Sequence, residues 1–168
     1  MSCLFRKTEC STAFPPTEPS DQWLKLYERH SGFYFYMKPF IYEHRIPFKD
    51  TDMAGLVHFT SILGYAEIAE HTVLSELGIE VISSKGGFPK VHIDCDYQWP
   101  LRFGDVAIVH LSLGKCSEKS LHWQFEIHVR GNGFSGNKVC AKGSMITTYV
   151  NEEGNSSNFP NVWRDLLT

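Results

Sequence analysis

One stretch constrains the fold of this chain more than any other. Between residues 59 and 77, Ile62, Ala66, Ala69, Val73 and Leu77 recur at spacings of 4, 3, 4 and 4. That spacing places one apolar stripe along a helix. Gly78 follows, where a helix commonly ends on a left-handed residue. Leu63, Tyr65, Ile68 and Leu74 widen the stripe, so other structure is expected to pack on more than one side. After the helix the period changes to two. Residues 91–99, 105–113, 121–129 and 139–150 each read as a strand, and turn residues separate them. A further run, 41–48, precedes the helix. The order strand, helix, four strands implies an α+β layer: one amphipathic helix against a mostly antiparallel five-stranded sheet.

Composition agrees with one globular domain. The chain has 168 residues, 42% hydrophobic and 21% charged. A net charge of −3 carries no basic nucleic-acid footprint. No uncharged apolar run reaches the roughly 18 residues of a membrane span, and the first residues do not read as a secretory signal. The five cysteines are widely spaced, with no C-x-x-C pair. They fit a reduced, cytoplasmic protein better than a disulfide scaffold or a zinc site. Residues 1–39 read as an irregular leader or arm. They contain a short helix candidate over 21–30 and an aromatic cluster, Phe33, Tyr34, Phe35, Tyr36 and Phe40. The regular domain is expected over 40–168, with a short terminal helix opening near Pro160.

Two motifs are read as structural. Residues 131–136 match G-x-G-x-x-G, but a dinucleotide site needs that turn to open a helix. Here β pattern lies on both sides, so a hairpin turn is expected. The eight histidines do not converge on a metal. His122 and His128 share a strand face yet stand about 20 Å apart at strand rise, and His71 follows Glu67 at helix-pair spacing. Solvated or locally bonded histidines are expected.

The informative segment is Phe48-Lys49-Asp50-Thr51-Asp52-Met53-Ala54-Gly55-Leu56-Val57-His58-Phe59, which joins a strand to the helix. Two carboxylates precede a helix N-terminus. They fit a charge preference with a capping turn. The alternative is a catalytic carboxylate facing free N–H groups that can hold an oxyanion. Gly55 would let the backbone approach a ligand closely.

Phe48, Asp50, Asp52, Gly55, Val57, His58, Phe59, Tyr65 and Glu67 together resemble the signature of hotdog-fold acyl-CoA thioesterases of the 4-hydroxybenzoyl-CoA type. Downstream, Asp96-Tyr97, Pro100 and Gly104-Asp105 resemble the ending of that family's next strand. The resemblance covers about residues 40–165. It implies a hotdog fold, a long central helix wrapped by a curved antiparallel sheet, assembled as a homodimer or homotetramer. It implies hydrolysis of an acyl-CoA substrate without a cofactor or metal, with Asp52 as nucleophile or general base and the Phe59 N–H as oxyanion donor. Gly55, Val57, His58, Tyr65 and Glu67 are carried over as substrate-binding positions. Some relatives place a histidine seven residues after the aspartate; here that position is Phe59 and His58 is sixth. His58 therefore has two candidate roles, substrate contact or local hydrogen bonding. A module that binds acyl-CoA without turning it over is the alternative. Met37-Lys38-Pro39-Phe40 resembles a normal start for the family, so the leader is expected to be an upstream extension or a lineage-specific arm.

Overall fold

A computed structural model describes residues 39–84, 86–131 and 138–167. The helix candidate over 21–30, nearly all of the aromatic cluster and most of the G-x-G-x-x-G motif lie outside the described residues.

Five strands form one antiparallel sheet: β1 (Phe40–Arg45), β4 (Lys90–Tyr97), β5 (Val106–Cys116), β6 (Ser120–Arg130) and β7 (Lys138–Thr148), in the order β1-β5-β6-β7-β4. β6 and β7, which flank the G-x-G-x-x-G segment, pair antiparallel, as the hairpin reading expects. β1 stops short of residue 48 because Pro47 has no N–H for a ladder and a 3₁₀ turn, Phe48–Asp50, follows. A second, small sheet joins β2 (Ile82–Ser83), β3 (Gly86–Gly87) and β8 (Val150–Asn151). Two-residue strands carry no periodicity, so nothing in the sequence reveals them.

The main helix, α1, is Phe59–Glu76, 18 residues. That lies within the ordinary range of about 8–20 for globular helices, so it is not an unusually long one. Its C-terminus is as expected: Gly78 has φ +76°, and Ile79 N–H bonds back to the Leu74 carbonyl at 2.9 Å. Ile62, Ala66, Ala69 and Val73 are buried and Leu77 partly so. Ile68 departs from the widened stripe and is exposed. A short helix, α2 (Asn161–Leu167), closes the described chain. No helix among the described residues is long and apolar enough to cross a membrane.

The core lies between α1 and one sheet face. Alternate residues of β5 and β6 enter it, with Trp123, Leu111, Leu121 and Ile127 almost fully covered. On the outward row the histidines are locally bonded, one of the two expected states: His128 Nε2 lies 2.5 Å from Glu126 Oε1. His110 stands directly opposite Glu126, and Glu126 opposite Lys142. The His110 and His128 rings lie 4.8 Å apart.

β4 behaves differently from the other strands. It is a strand as its alternation predicts, yet of the apolar row Val91, Ile93, Tyr97 and Trp99, the last just past its end, are exposed. β4 is an edge strand, and its apolar side is covered only in part. Close approach to β7 is secured at Gly143, paired with Cys95. A Cβ there would stand 2.0 Å from the Asp94 carbonyl oxygen.

Candidate active site

The site begins with a closed loop. Thr51 pairs with Val57 in an isolated bridge, and Asp52 N–H donates to Leu56 O at 2.8 Å. Gly55 sits at the tip with φ +72°, a conformation that favours glycine. Asp52 Oδ1 accepts from Ala54 N–H at 2.8 Å and Leu56 N–H at 3.2 Å. The turn thus consumes one carboxylate oxygen. Oδ2 has no partner among the described residues. The loop is tied to its surroundings by Val57 N–H to Leu101 O and His58 N–H to Asp50 O, both 2.9 Å.

His58 is the N-cap of α1. Its Nδ1 accepts from Thr60 N–H at 3.4 Å and lies 2.7 Å from Thr60 Oγ1. Its ring lies 4.6 Å from that of Phe59. Local hydrogen bonding, one of its two candidate roles, is therefore present. The first helical N–H, that of Phe59, bonds to no described residue, as the first turn of a helix leaves its donors free.

A cleft of about 510 Å³ opens over this helix start. One wall is Asp52 with residues 56–59 and Ile62; the other is residues 97–101, which continue from β4. The walls touch where Tyr97 OH donates to Phe59 O at 3.3 Å. Phe59, Tyr97 and Trp99 present rings to it, and Lys138 Nζ caps the Trp99 ring at 3.6 Å. Tyr97, Ile62 and Leu101 also line the cleft; no motif in the sequence marks them as lining it, because only the tertiary fold brings them to the loop.

The cleft brings together Asp52, Val57, His58 and Phe59 of the expected residues. Gly55 stands at the loop tip, outside the lining. Tyr65 is 2% exposed, and its hydroxyl donates to Asp50 Oδ2 at 2.9 Å rather than facing the cleft. Burial, then this carboxylate, pushes its pKa well above the ordinary phenol value. Glu67 lies further along α1 on Lys90, at 3.0 Å, with His71 at 4.0 Å. Among the described residues no group of histidine, cysteine and carboxylate side chains could hold a metal.

The chain resembles known proteins in both sequence and fold. The sequence profile of the Thioesterase-like superfamily matches residues 46–167. A 1,4-dihydroxy-2-naphthoyl-CoA hydrolase of Synechococcus sp. is 35% identical over 75 residues, 39% of this chain and 50% of the relative's own length. The chain thus spans about half of that curated relative. The structure of a gentisyl-coenzyme A thioesterase superposes with TM-score 0.67 at 28% identity, covering 76% of this chain and 99% of the other. A 1,4-dihydroxy-2-naphthoyl-CoA thioesterase from Synechocystis superposes with TM-score 0.67 at 23% identity, covering 77% and 96%, which speaks to the fold.

Proposed function

The chain belongs to the Thioesterase-like superfamily, and from that membership we propose that it hydrolyses acyl-CoA thioesters to a free acid and CoA. One observation carries the reading: Asp52 lines the cleft with one oxygen held by its own loop and the other unpartnered, beside a helix start whose Phe59 N–H is unbonded. A thioester carbonyl placed there meets a carboxylate oxygen and an N–H donor. Oδ2 either attacks the carbonyl carbon, expelling CoA thiolate to leave an acyl-Asp52 anhydride that water cleaves, or takes a proton from the attacking water. In both routes the negative charge that develops on the carbonyl oxygen is stabilised by the Phe59 N–H and the helix dipole. The chemistry requires no cofactor.

Asp52 is a better candidate for this role than Asp50, whose carboxylate is engaged by Tyr65. Val57 and His58 shape the cleft beside the reacting centre, and Gly55 permits the tight loop. The rings of Phe59, Tyr97 and Trp99 suit an aromatic acyl group. The naphthoyl and gentisyl names of the relatives above point the same way. The reaction belongs to the domain over 40–168, which we read as a hotdog fold with the sheet curved around α1. The incompletely covered edge strand β4 supports assembly into a homodimer or homotetramer. The cysteine pattern supports a reduced, cytoplasmic setting.

The test follows CoA release with a thiol reagent across aromatic and aliphatic acyl-CoAs. Hydrolysis by the wild type and a loss of about 10²-fold or more in Asp52→Asn are expected. Saturable binding without hydrolysis would instead establish a binding module, and full activity in Asp52→Asn would remove Asp52 from the mechanism.

A further inference from the structure

We propose that Asp50 and Tyr65 form a positioning pair that fixes the Asp52 loop against the start of α1; this rests on the hydrolase reading above. Asp50 holds the junction from both sides. Its carbonyl oxygen accepts from the N–H of His58, the helix N-cap, at 2.9 Å. Its carboxylate Oδ2 accepts from the Tyr65 hydroxyl at 2.9 Å. The two anchors lie seven residues apart on the helix side, about two turns. Two anchors so separated resist both sliding and rotation of the loop's base, which one alone would not.

The rest of the loop transmits that placement. Thr51 Oγ1 donates to Phe48 O at 2.7 Å, and the Thr51–Val57 bridge closes the hairpin. Asp52 is therefore only two residues from Asp50 and inside a closed ring of bonds. His44 of β1 joins the same point, its Nε2 3.9 Å from Asp50 Oδ2 and its ring 4.6 Å from that of Tyr65. Strand, loop and helix thus converge on one carboxylate. Burial, then the Asp50 carboxylate, raises the pKa of the Tyr65 phenol well above its ordinary value, which favours the protonated, donating form.

Catalysis by Asp52 needs its Oδ2 and the Phe59 N–H placed about one carbonyl together. A displacement of about 1 Å can cost roughly 10²-fold in rate. Tyr65 lies away from the cleft lining, so the pair acts on the rate through Asp52 and has no direct hold on the acyl group. That differs from the substrate contact implied for Tyr65 by the family resemblance. A substrate contact would change KM in a way that depends on the acyl chain. A positioning pair lowers kcat alike for every acyl chain.

The full-length protein is compared with Tyr65→Phe, Asp50→Ala and Asp50→Asn, each checked for folding by near-ultraviolet circular dichroism. Tyr65→Phe should lower kcat about 10-fold or more, with KM within about twofold for all acyl-CoAs tested. Asp50→Asn keeps a carbonyl acceptor for the Tyr65 hydroxyl, so it should recover most of the activity lost in Asp50→Ala. Amide hydrogen exchange supplies a readout independent of turnover. In Tyr65→Phe the amides of Ala54, Leu56 and His58 should exchange at least about tenfold faster than in the wild type. Unchanged exchange at these amides overturns the pair even if the protein hydrolyses nothing, the case in which the functional reading itself has failed. Wild-type kcat in Tyr65→Phe, or an effect confined to KM, overturns it where hydrolysis is observed.

Discussion

Lys90 Nζ stands 2.7 Å from Oε2 of Glu70, a carboxylate with no exposed surface. Thr147 donates to the other oxygen, Oε1, at 2.5 Å, and Lys90 and Thr147 are themselves cross-strand partners on β4 and β7. The helix thus docks on the sheet through one buried acid gripped by two strands. Removing the cation leaves the charge buried, which costs about 3–5 kcal/mol. Lys90→Met should therefore lower the Tm by roughly 10 °C or more. Adding Glu70→Met to that variant should restore much of the loss, because an apolar pair of similar size avoids the desolvation cost. Thermal melts of the wild type, the single and the double variant check this; a double variant no better than the single would show that the ion pair is not what Lys90 supplies. The contact with half-exposed Glu67 contributes little.

The same residue marks where the sequence stops being informative. Ile62, Ala66, Ala69 and Val73 announced the helix face because their chemistry matches their burial. Glu70 lies on that face too, but its burial depends on Lys90 and Thr147, which are distant in sequence. The loop behaves likewise. Its two aspartates and the helix behind it are legible in the sequence. What separates Asp52 from Asp50 is the reach of Tyr65 across the junction, a tertiary fact. The alternation of β4 is plain in the sequence, whereas its place at the sheet edge, which leaves Val91 and Tyr97 exposed, follows from the strand order.

Gly143 couples the sheet to the cleft. With a Cβ meeting the Asp94 carbonyl oxygen at 2.0 Å and the Phe125 ring at 2.8 Å, Gly143→Ala must push β4 away from β7. Overpacking of this kind costs about 1–3 kcal/mol. β4 leads directly into the wall formed by residues 97–101, so KM should rise more than kcat falls. Denaturant melts and steady-state kinetics on the same preparation measure the two effects. A stability loss without a KM change would separate strand pairing from the cleft wall.

Lys138 Nζ stands over the Trp99 ring, 3.6 Å from its centroid. If its ring meets an aromatic acyl group, Trp99→Leu removes a ring contact worth about 0.5–1.5 kcal/mol. The KM for aromatic acyl-CoAs should then rise roughly 2- to 10-fold, with a smaller change for short aliphatic ones. Lys138→Met should have the same selectivity but a smaller size, since an exposed cation–π contact is worth about 0.5–1 kcal/mol. Equal effects on both substrate classes would remove Trp99 from acyl recognition.

The outer sheet face predicts a pH dependence of stability. Glu126 Oε1 lies 2.5 Å from His128 Nε2 and directly opposite His110, with Lys142 on its other side. Burial lowers the pKa of His128; burial and then the neighbouring His128 lower that of His110, with Glu126 opposing. Burial raises that of Glu126, with His110 and Lys142 opposing. A histidine with a depressed pKa stabilises the native state fully above its unfolded value of about 6.5. As the pH falls below 6.5, the unfolded chain binds protons the folded chain refuses, and stability declines through the depressed values. Glu126 has the opposite sign: its raised pKa favours the folded state at acid pH and costs stability as the carboxyl ionises. The Tm should therefore fall as pH drops from 7 through 6, and the fall should slacken as Glu126 takes up its proton. His110→Gln combined with His128→Gln should flatten the profile between pH 7 and 5, and Glu126→Gln, which keeps an acceptor for His128, should raise the Tm at pH 7. Melts across that range decide the matter: a double variant with the wild-type slope would place the titrating groups elsewhere.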